Sequence, residues 1–278
     1  MIKIFFFIFI IFIFLNCNNE LIKGGNNNIL EKIDKVYFIN LDKSKDRLDM
    51  MLEQSKKHNF PLTRYPAIYG KDIDRNELIK EGILHKKNNL KNGELGVTLS
   101  HINIWKESLK NNYKYILVLE DDILFCDNFK DKLNKYYKQI PEDWDIIYLG
   151  GSRMKGKKIS ENILKLVYNK VPDAGTNMGA YAMLLNKKSI KKLLSLMTPI
   201  ITPIDLQIAQ NNTDLNLYYC NPRLVKHNDN FISEIILLDR NTKYKYNPGI
   251  TQVDPIIVKG GNNNILKKID KIYFINLD

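Results

Sequence analysis

Residues 115–122 read YILVLEDD, five apolar residues followed directly by three carboxylates. A continuous apolar run of this kind is typical of a central strand in a parallel sheet, because such a strand is buried on both faces. In open α/β sheets, ligands bind outside the carboxyl ends of the strands. The segment therefore predicts a buried strand and places the candidate site at its end.

Strands and helices alternate on both sides of this segment, which predicts an α/β sandwich with a mostly parallel central sheet. The apolar runs predict further strands at 36–41, 65–68, 144–149, 179–185 and 215–220. Helical spacing predicts helices after Ser44, with Leu48, Met51 and Leu52 on one face, and at 94–109, 128–138 and 187–197. Residues 76–92 are polar and predict a loop or a weak helix.

The composition is that of an ordinary globular protein, with 278 residues, 44% hydrophobic and 26% charged, which excludes disordered and fibrous classes. The net charge of +11 is spread along the chain. Since neither an aromatic RNA-binding motif nor a basic helix accompanies it, we expect no nucleic-acid partner. Three cysteines exclude a disulfide-dense scaffold. Cys126 and Cys220 could pair or could both be small core residues.

The amino-terminal segment 1–22 is interpreted as a signal peptide or signal anchor, because one lysine precedes the apolar run 4–15. As a helix this run would span about 18 Å, short of the roughly 30 Å hydrocarbon core. A membrane attachment through 4–15 is thus one of the two interpretations. Residues 23–32 predict an Asn/Gly-rich linker, followed by the main domain at 33–258.

The carboxyl-terminal segment 259–278 repeats residues 23–42 almost completely. The two segments differ only at Glu31/Lys267 and Val36/Ile272. One repeat is not a solenoid, which needs at least three contiguous units. We interpret it as the start of a truncated second domain, with local duplication as the alternative.

Glu120, Asp121 and Asp122 lie close enough in sequence to repel one another, by about 4 kcal/mol per close pair at an effective dielectric constant of ~20. A divalent cation would offset this, and oxygen ligands suit Mg²⁺, Mn²⁺ or Ca²⁺. In an extended backbone Glu120 and Asp122 point the same way and Asp121 the opposite way. We therefore expect the first pair to hold a metal and Asp121 to bind a sugar or ribose hydroxyl. The alternative is a solvated acidic turn.

An ordered set of motifs over residues 34–240 resembles glycosyltransferase family 25, which includes bacterial lipopolysaccharide sugar transferases and collagen hydroxylysine galactosyltransferases. The residues that carry the resemblance are Phe38 to Asp42 with Asp46-Arg47, Gly93 to Gly96 with Leu99-Ser100-His101 and Trp105, Val118 to Asp122, Trp144 to Gly151, Gly179 to Tyr181, Pro203 to Asp205, and Pro222 to His227. One departure is Val97, where many members carry a cysteine.

The resemblance implies a GT-A fold, a nucleotide-sugar donor and transfer with inversion, aided by Mn²⁺ or by Mg²⁺. It places Glu120-Asp121-Asp122 at the acidic motif and adds His227 as a third metal ligand beside Glu120 and Asp122. Candidate donor-binding residues are Asn40, Arg47, Ser100, His101, Asp121 and Tyr181.

Four of these residues also have a structural alternative. Arg47 could form a helix-surface ion pair, His101 and Tyr181 could belong to the core, and His227 could lie on the surface.

Inversion needs a base that accepts the proton of the attacking hydroxyl. Asp205, in a loop that Pro199 and Pro203 make rigid, is the predicted catalytic base. Asp173 and Glu234 are its rivals.

The expected function is transfer of galactose or glucose from a UDP-sugar to a hydroxyl acceptor, with hydroxylysine of a collagen-like protein preferred over a lipopolysaccharide or lipooligosaccharide. Two further alternatives are a non-catalytic paralogue that binds sugar nucleotides and a metal-dependent phosphohydrolase. The expected location is the secretory pathway, in the lumen or membrane of the endoplasmic reticulum. A bacterial envelope or the cytoplasmic face of a membrane is the alternative.

Overall fold

The computed structural model describes residues 28–167, 177–211 and 214–231. The predictions for residues 1–22, Asp173, Glu234 and 259–278 lie outside these ranges. The described helices are α1 (Ile29–Lys32), α2 (Lys45–Lys57), α3 (Arg75–Lys80), α4 (Asn92–Lys110), α5 (Phe129–Tyr137), α6 (Lys187–Leu196) and α7 (Ile204–Gln210), with a short 3-10 helix at Gly70–Asp72. The described strands are β1 (Lys35–Asn40), β2 (Thr63–Pro66), β3 (Tyr115–Glu120), β4 (Ile123–Phe125), β5 (Ile146–Tyr148), β6 (Gly156–Lys158), β7 (Ile163–Leu166), β8 (Ala182–Asn186), β9 (Leu217–Cys220) and β10 (Val225–His227).

Eight strands form one sheet in the order β2-β1-β3-β8-β5-β9-β7-β6. Strands β2, β1 and β3 are parallel to one another, as are β5 and β9, whereas β8 and β7 pair with their neighbours in the antiparallel sense. Six of the eight strands therefore run in one direction. The predicted class, a GT-A-like, Rossmann-type α/β sandwich with a mostly parallel central sheet, is confirmed.

Both faces of the sheet are covered by helices, which makes a three-layer structure. In β1, Tyr37 and Ile39 face a core shared with α3, α4, α6 and α7, while Val36 and Phe38 face a second core shared with α1, α2 and α5. Strand β3, the apolar segment quoted first, is buried along Ile116–Leu119. Its side chains alternate between the two cores, as the period of a strand requires.

Three local expectations differ from the structure. Asp205 does not lie in a loop but in the first turn of α7, because Pro203 ends the preceding segment and stands at the helix N-cap. Leu52 is 43% exposed, so the buried face of α2 runs through Met51 instead. Ile29, within the stretch predicted as linker, is fully buried in α1, so the compact domain includes residues 29–32.

The short strands β4 and β10 were not predicted, and they form a separate antiparallel pair. Their register places His227 opposite Ile123, one residue after the acidic segment. Cys126 and Cys220 are both free cysteines, and Cys220 is buried. Among the described helices, none is long and apolar enough to cross a membrane.

Candidate active site

The candidate site lies at the carboxyl edge of the parallel strands, where the sequence predicted it. Strand β1 ends at Asn40 and β3 ends at Glu120, and the two strands are hydrogen-bonded neighbours with Ile39 in register with Glu120. The chain then turns through Asp121 and Asp122 into β4. The pairing of β4 with β10 places His227 opposite Ile123, beside the acidic segment.

Arg47, in the first turn of α2, ties two of the carboxylates together. Its Nη1 atom lies 2.8 Å from Oδ1 of Asp121 and 3.1 Å from Oδ2 of Asp122, and all three side chains are buried. The expectation that Asp121 and Asp122 point to opposite sides is wrong, because β3 ends at Glu120 and strand alternation does not extend into the turn. The guanidinium of Arg47 therefore offsets part of the carboxylate repulsion that the sequence alone attributes to a bound metal ion.

Asn40 binds the other oxygen of Asp121, with Nδ2 donating to Oδ2 at 2.7 Å. Its own Oδ1 accepts a hydrogen bond from Nε of Arg64 at 2.9 Å. Both oxygens of Asp121 therefore have donors within the protein, and its role here is to anchor Arg47 and Asn40. Arg64 is not among the site residues predicted from the sequence, although it directly precedes a strand predicted to begin at Tyr65.

Asp122 and His227 lie side by side at the end of the acidic segment. Nε2 of His227 lies 3.2 Å from Oδ2 of Asp122. Oδ1 of Asp122 is buried and has no hydrogen-bond partner among the described residues. Within those residues no group of three or more His, Cys, Asp or Glu side chains is arranged to hold a metal ion. Among the described residues, Glu120 therefore does not complete a three-ligand cluster with Asp122 and His227.

Glu120 and Asp205 form a second electrostatic feature of the site. Burial raises the pKa of the half-buried Glu120 carboxyl, and the neighbouring charges of Asp122, Asp121 and Asp205 raise it further. Burial also raises the pKa of Asp205, although its Oδ2 accepts the N–H of Gly179 at 2.9 Å and its Oδ1 accepts the N–H of Leu206 at 2.8 Å. A raised pKa makes a carboxylate a stronger base, which suits a group that accepts a proton from a hydroxyl.

Tyr181 lies beside this edge with its ring packed against the glycines that follow β5 and precede β8. A Cβ atom at Gly150 would lie 2.4 Å from the ring, so only glycine fits there. The carbonyl of Tyr181 accepts the N–H of Glu120 at 3.0 Å. Burial raises the pKa of its hydroxyl, an effect opposed by the guanidinium of Arg223. The side chain is 9% exposed, which agrees with the structural alternative.

Ser100 and His101 make no described side-chain contact with Asp121, Asp122 or His227, so the structure adds no support to their predicted donor-binding roles. Both are fully buried on α4. Oγ of Ser100 donates to the carbonyl of Gly96 at 2.7 Å and accepts the N–H of Ile68 at 2.9 Å. Neither ring nitrogen of His101 has a partner among the described residues, and burial lowers the pKa of the ring to about 3. The helix spacing that buries Leu95 and Trp105 buries these two residues as well.

Comparison with known proteins identifies the family. The family described as "Glycosyltransferase family 25 (LPS biosynthesis protein)" matches residues 33–208. Mouse procollagen galactosyltransferase 2 is 33% identical over 148 residues, which is 48% of this chain and 24% of that protein. A glycosyltransferase 25 family member of Drosophila melanogaster is 26% identical over 175 residues, covering 59% and 28%. The chain thus spans about a quarter of the length of these relatives.

Solved structures give weaker likenesses. A197 from STIV has a TM-score of 0.41 at 12% identity, covering 72% of this chain and 86% of that one. A glycosyltransferase involved in the glycosylation of the major capsid of PBCV-1 has a TM-score of 0.32 at 9% identity, covering 58% and 65%. These scores carry no functional argument.

Proposed function

The chain belongs to glycosyltransferase family 25, and we propose that it moves galactose or glucose from a UDP-sugar to a hydroxyl acceptor with inversion. The observation that carries the proposal is the buried Asp122 carboxylate, held on one oxygen by Arg47 and His227 while the other oxygen is unpartnered. A buried charged oxygen without a donor is costly to leave unpaired. It is therefore expected to face a ligand.

We propose that this ligand includes a divalent cation, Mn²⁺ or Mg²⁺, held by Asp122 and His227. Carboxylate oxygen and imidazole nitrogen both suit Mn²⁺. When bound, such an ion supplies Lewis acidity that stabilises the negative charge of a departing nucleoside diphosphate.

The protein's own groups divide the remaining tasks. Arg47 holds Asp121 and Asp122 in one arrangement, so that the carboxylates need no rearrangement when the donor arrives. We propose Asp205 as the base, with one of its carboxylate oxygens accepting the proton of the acceptor hydroxyl. The raised pKa of Asp205 favours this role, because a stronger base is closer in pKa to the hydroxyl that it deprotonates.

For the acceptor, we propose hydroxylysine of a collagen-like protein, since the relatives are named procollagen galactosyltransferases. The secretory pathway is the corresponding location. The family description, which names lipopolysaccharide biosynthesis, supports a glycan acceptor as the second candidate.

The proposal is tested by donor hydrolysis across a panel of nucleotide sugars with and without Mn²⁺, read as release of the nucleoside diphosphate. Asp122→Ala should abolish turnover. The control is Glu161→Ala, which removes an exposed carboxylate whose oxygen lies 3.4 Å from Lys135 on the surface. Equal turnover by the Asp122 variant and wild type would remove the acidic segment from the mechanism. Tight UDP-sugar binding without turnover would favour a non-catalytic protein, and release of inorganic phosphate would favour a phosphohydrolase.

A further inference from the structure

We propose that Arg64 is a positioning residue for the acidic site, acting through Asn40 and Asp121. Arg64 lies on β2, the edge strand beside β1, and reaches across to the carboxyl end of β1. The inference rests on the proposed function for its kinetic consequences, whereas the contacts that carry it stand on the structure alone.

Arg64 makes two hydrogen bonds to the same neighbour. Its Nε donates to Oδ1 of Asn40 at 2.9 Å, and its Nη2 donates to the carbonyl of Asn40 at 3.2 Å. Nη2 also forms an ion pair with the exposed Asp42. A guanidinium presents these donors in one rigid plane, so the side chain of Asn40 is clamped in one orientation.

That orientation decides which end of the amide faces Asp121. The amide of asparagine has an acceptor oxygen and a donor nitrogen, and either end could face the carboxylate. Because Arg64 is donor-only, it must contact the oxygen, which leaves Nδ2 of Asn40 to donate to Asp121 at 2.7 Å and to the carbonyl of Ser44 at 3.1 Å. Without Arg64, Oδ1 of Asn40 would lose its donor, and only the contacts of Nδ2 with Asp121 and Ser44 would remain to hold the amide.

A continuous series of contacts connects the orientation of Asn40 to Asp122. Asn40 holds Oδ2 of Asp121, which leaves Oδ1 to bind Arg47 at 2.8 Å. The same Nη1 of Arg47 holds Oδ2 of Asp122 at 3.1 Å, so that Oδ1 of Asp122 is the oxygen left unpartnered. Arg64 thus helps to fix the orientation of the Asp122 carboxylate, although the structure describes no direct contact between the two side chains.

The test compares Arg64→Met with a matched arginine elsewhere. Arg75 is also part-buried and makes three side-chain hydrogen bonds, to Asn92 at 2.9 Å, Asn88 at 2.8 Å and the carbonyl of Leu90 at 2.7 Å. Both Arg→Met variants should lower Tm, because each leaves acceptors unpaired. Only Arg64→Met should lower kcat for donor hydrolysis, by about 10- to 100-fold, which is the usual effect of losing an outer partner of a site. Arg64→Lys, which keeps the charge and one donor group, should recover part of the loss.

A double-mutant cycle with Asn40→Ala tests whether Arg64 affects kcat through Asn40. If Arg64 acts through Asn40, the Arg64→Met/Asn40→Ala protein should be no slower than Asn40→Ala alone. Additive losses, or an unchanged kcat in Arg64→Met, would overturn the proposal.

A crystal structure of Arg64→Met gives a readout that needs no activity. The Asn40–Asp121 hydrogen bond should be lengthened or lost, and its persistence at 2.7 Å would overturn the inference. A wild-type protein that binds no nucleotide would contradict the proposed function, while this structure would still decide the role of Arg64.

Discussion

Replacing His101 with leucine should make the protein less sensitive to acid without affecting its site. His101 is fully buried on α4, and neither ring nitrogen has a described partner. Burial lowers the pKa of the ring from 6.5 to about 3, because the charged form would lose its hydration. A group whose folded pKa is lowered contributes stability above its unfolded pKa, and that stability is lost as pH falls toward the folded pKa.

The size of this stability loss follows from the difference between the folded and unfolded pKa values of His101. Between pH 6.5 and pH 5 the unfolded state binds a proton at residue 101 that the folded state excludes. Each pH unit in that interval costs about 1.4 kcal/mol of stability, so His101 alone should account for a loss of about 2 kcal/mol. Leucine has a similar size, does not titrate and leaves no unpartnered nitrogen.

Urea denaturation of wild type and His101→Leu at pH 7.5 and pH 5 measures the effect. The variant should be at least as stable at pH 7.5, and its advantage should grow by about 2 kcal/mol at pH 5. His101→Gln is the matched control, since it also does not titrate but keeps a buried polar group. It should show the same reduced pH dependence at a lower stability. Parallel pH profiles for all three proteins, or a tenfold loss of UDP affinity in His101→Leu at pH 7.5, would refute the reasoning.

Two further substitutions probe the packing and charges of the site. Arg47→Met should lower the free energy of unfolding by about 3–5 kcal/mol, because it leaves Asp121 and Asp122 buried without their shared cation. Asp122→Asn in the same background should recover part of that loss in urea denaturation, and a loss below about 1 kcal/mol would contradict a buried pair. Gly150→Ala should cost about 1–3 kcal/mol, measured the same way, because its Cβ would lie 2.4 Å from the ring of Tyr181 and 2.5 Å from the carbonyl oxygen of Val225. Tyr181→Leu should then relieve part of the strain, and an unchanged stability in Gly150→Ala would contradict the close packing.

The sequence predicted the main elements because their signals are local. The apolar run of β3 and the helical spacing of α4 each depend on a single stretch of chain, and both elements lie where their patterns indicated. The rule that ligands bind at the carboxyl ends of strands then located the edge at which Asn40, Asp122 and His227 meet.

The contacts within the site could not be predicted, because they join distant parts of the chain. Arg47 and Asp121 are 74 residues apart, and no local pattern shows that a guanidinium would lie between two carboxylates. Arg64 was missed for the same reason, since its partner Asn40 lies on the neighbouring strand. The burial of His101 could not be predicted either, because a histidine within a motif has the same sequence signature whether it is buried or exposed.

The most direct measurement of the central claim is a crystal structure of the protein with Mn²⁺ and UDP, read by the anomalous signal of manganese. We expect one peak between the unpartnered oxygen of Asp122 and the ring of His227, with the diphosphate of UDP on its open side. Manganese and nucleotide bound elsewhere, or an empty edge at saturating concentrations of both, would contradict the account.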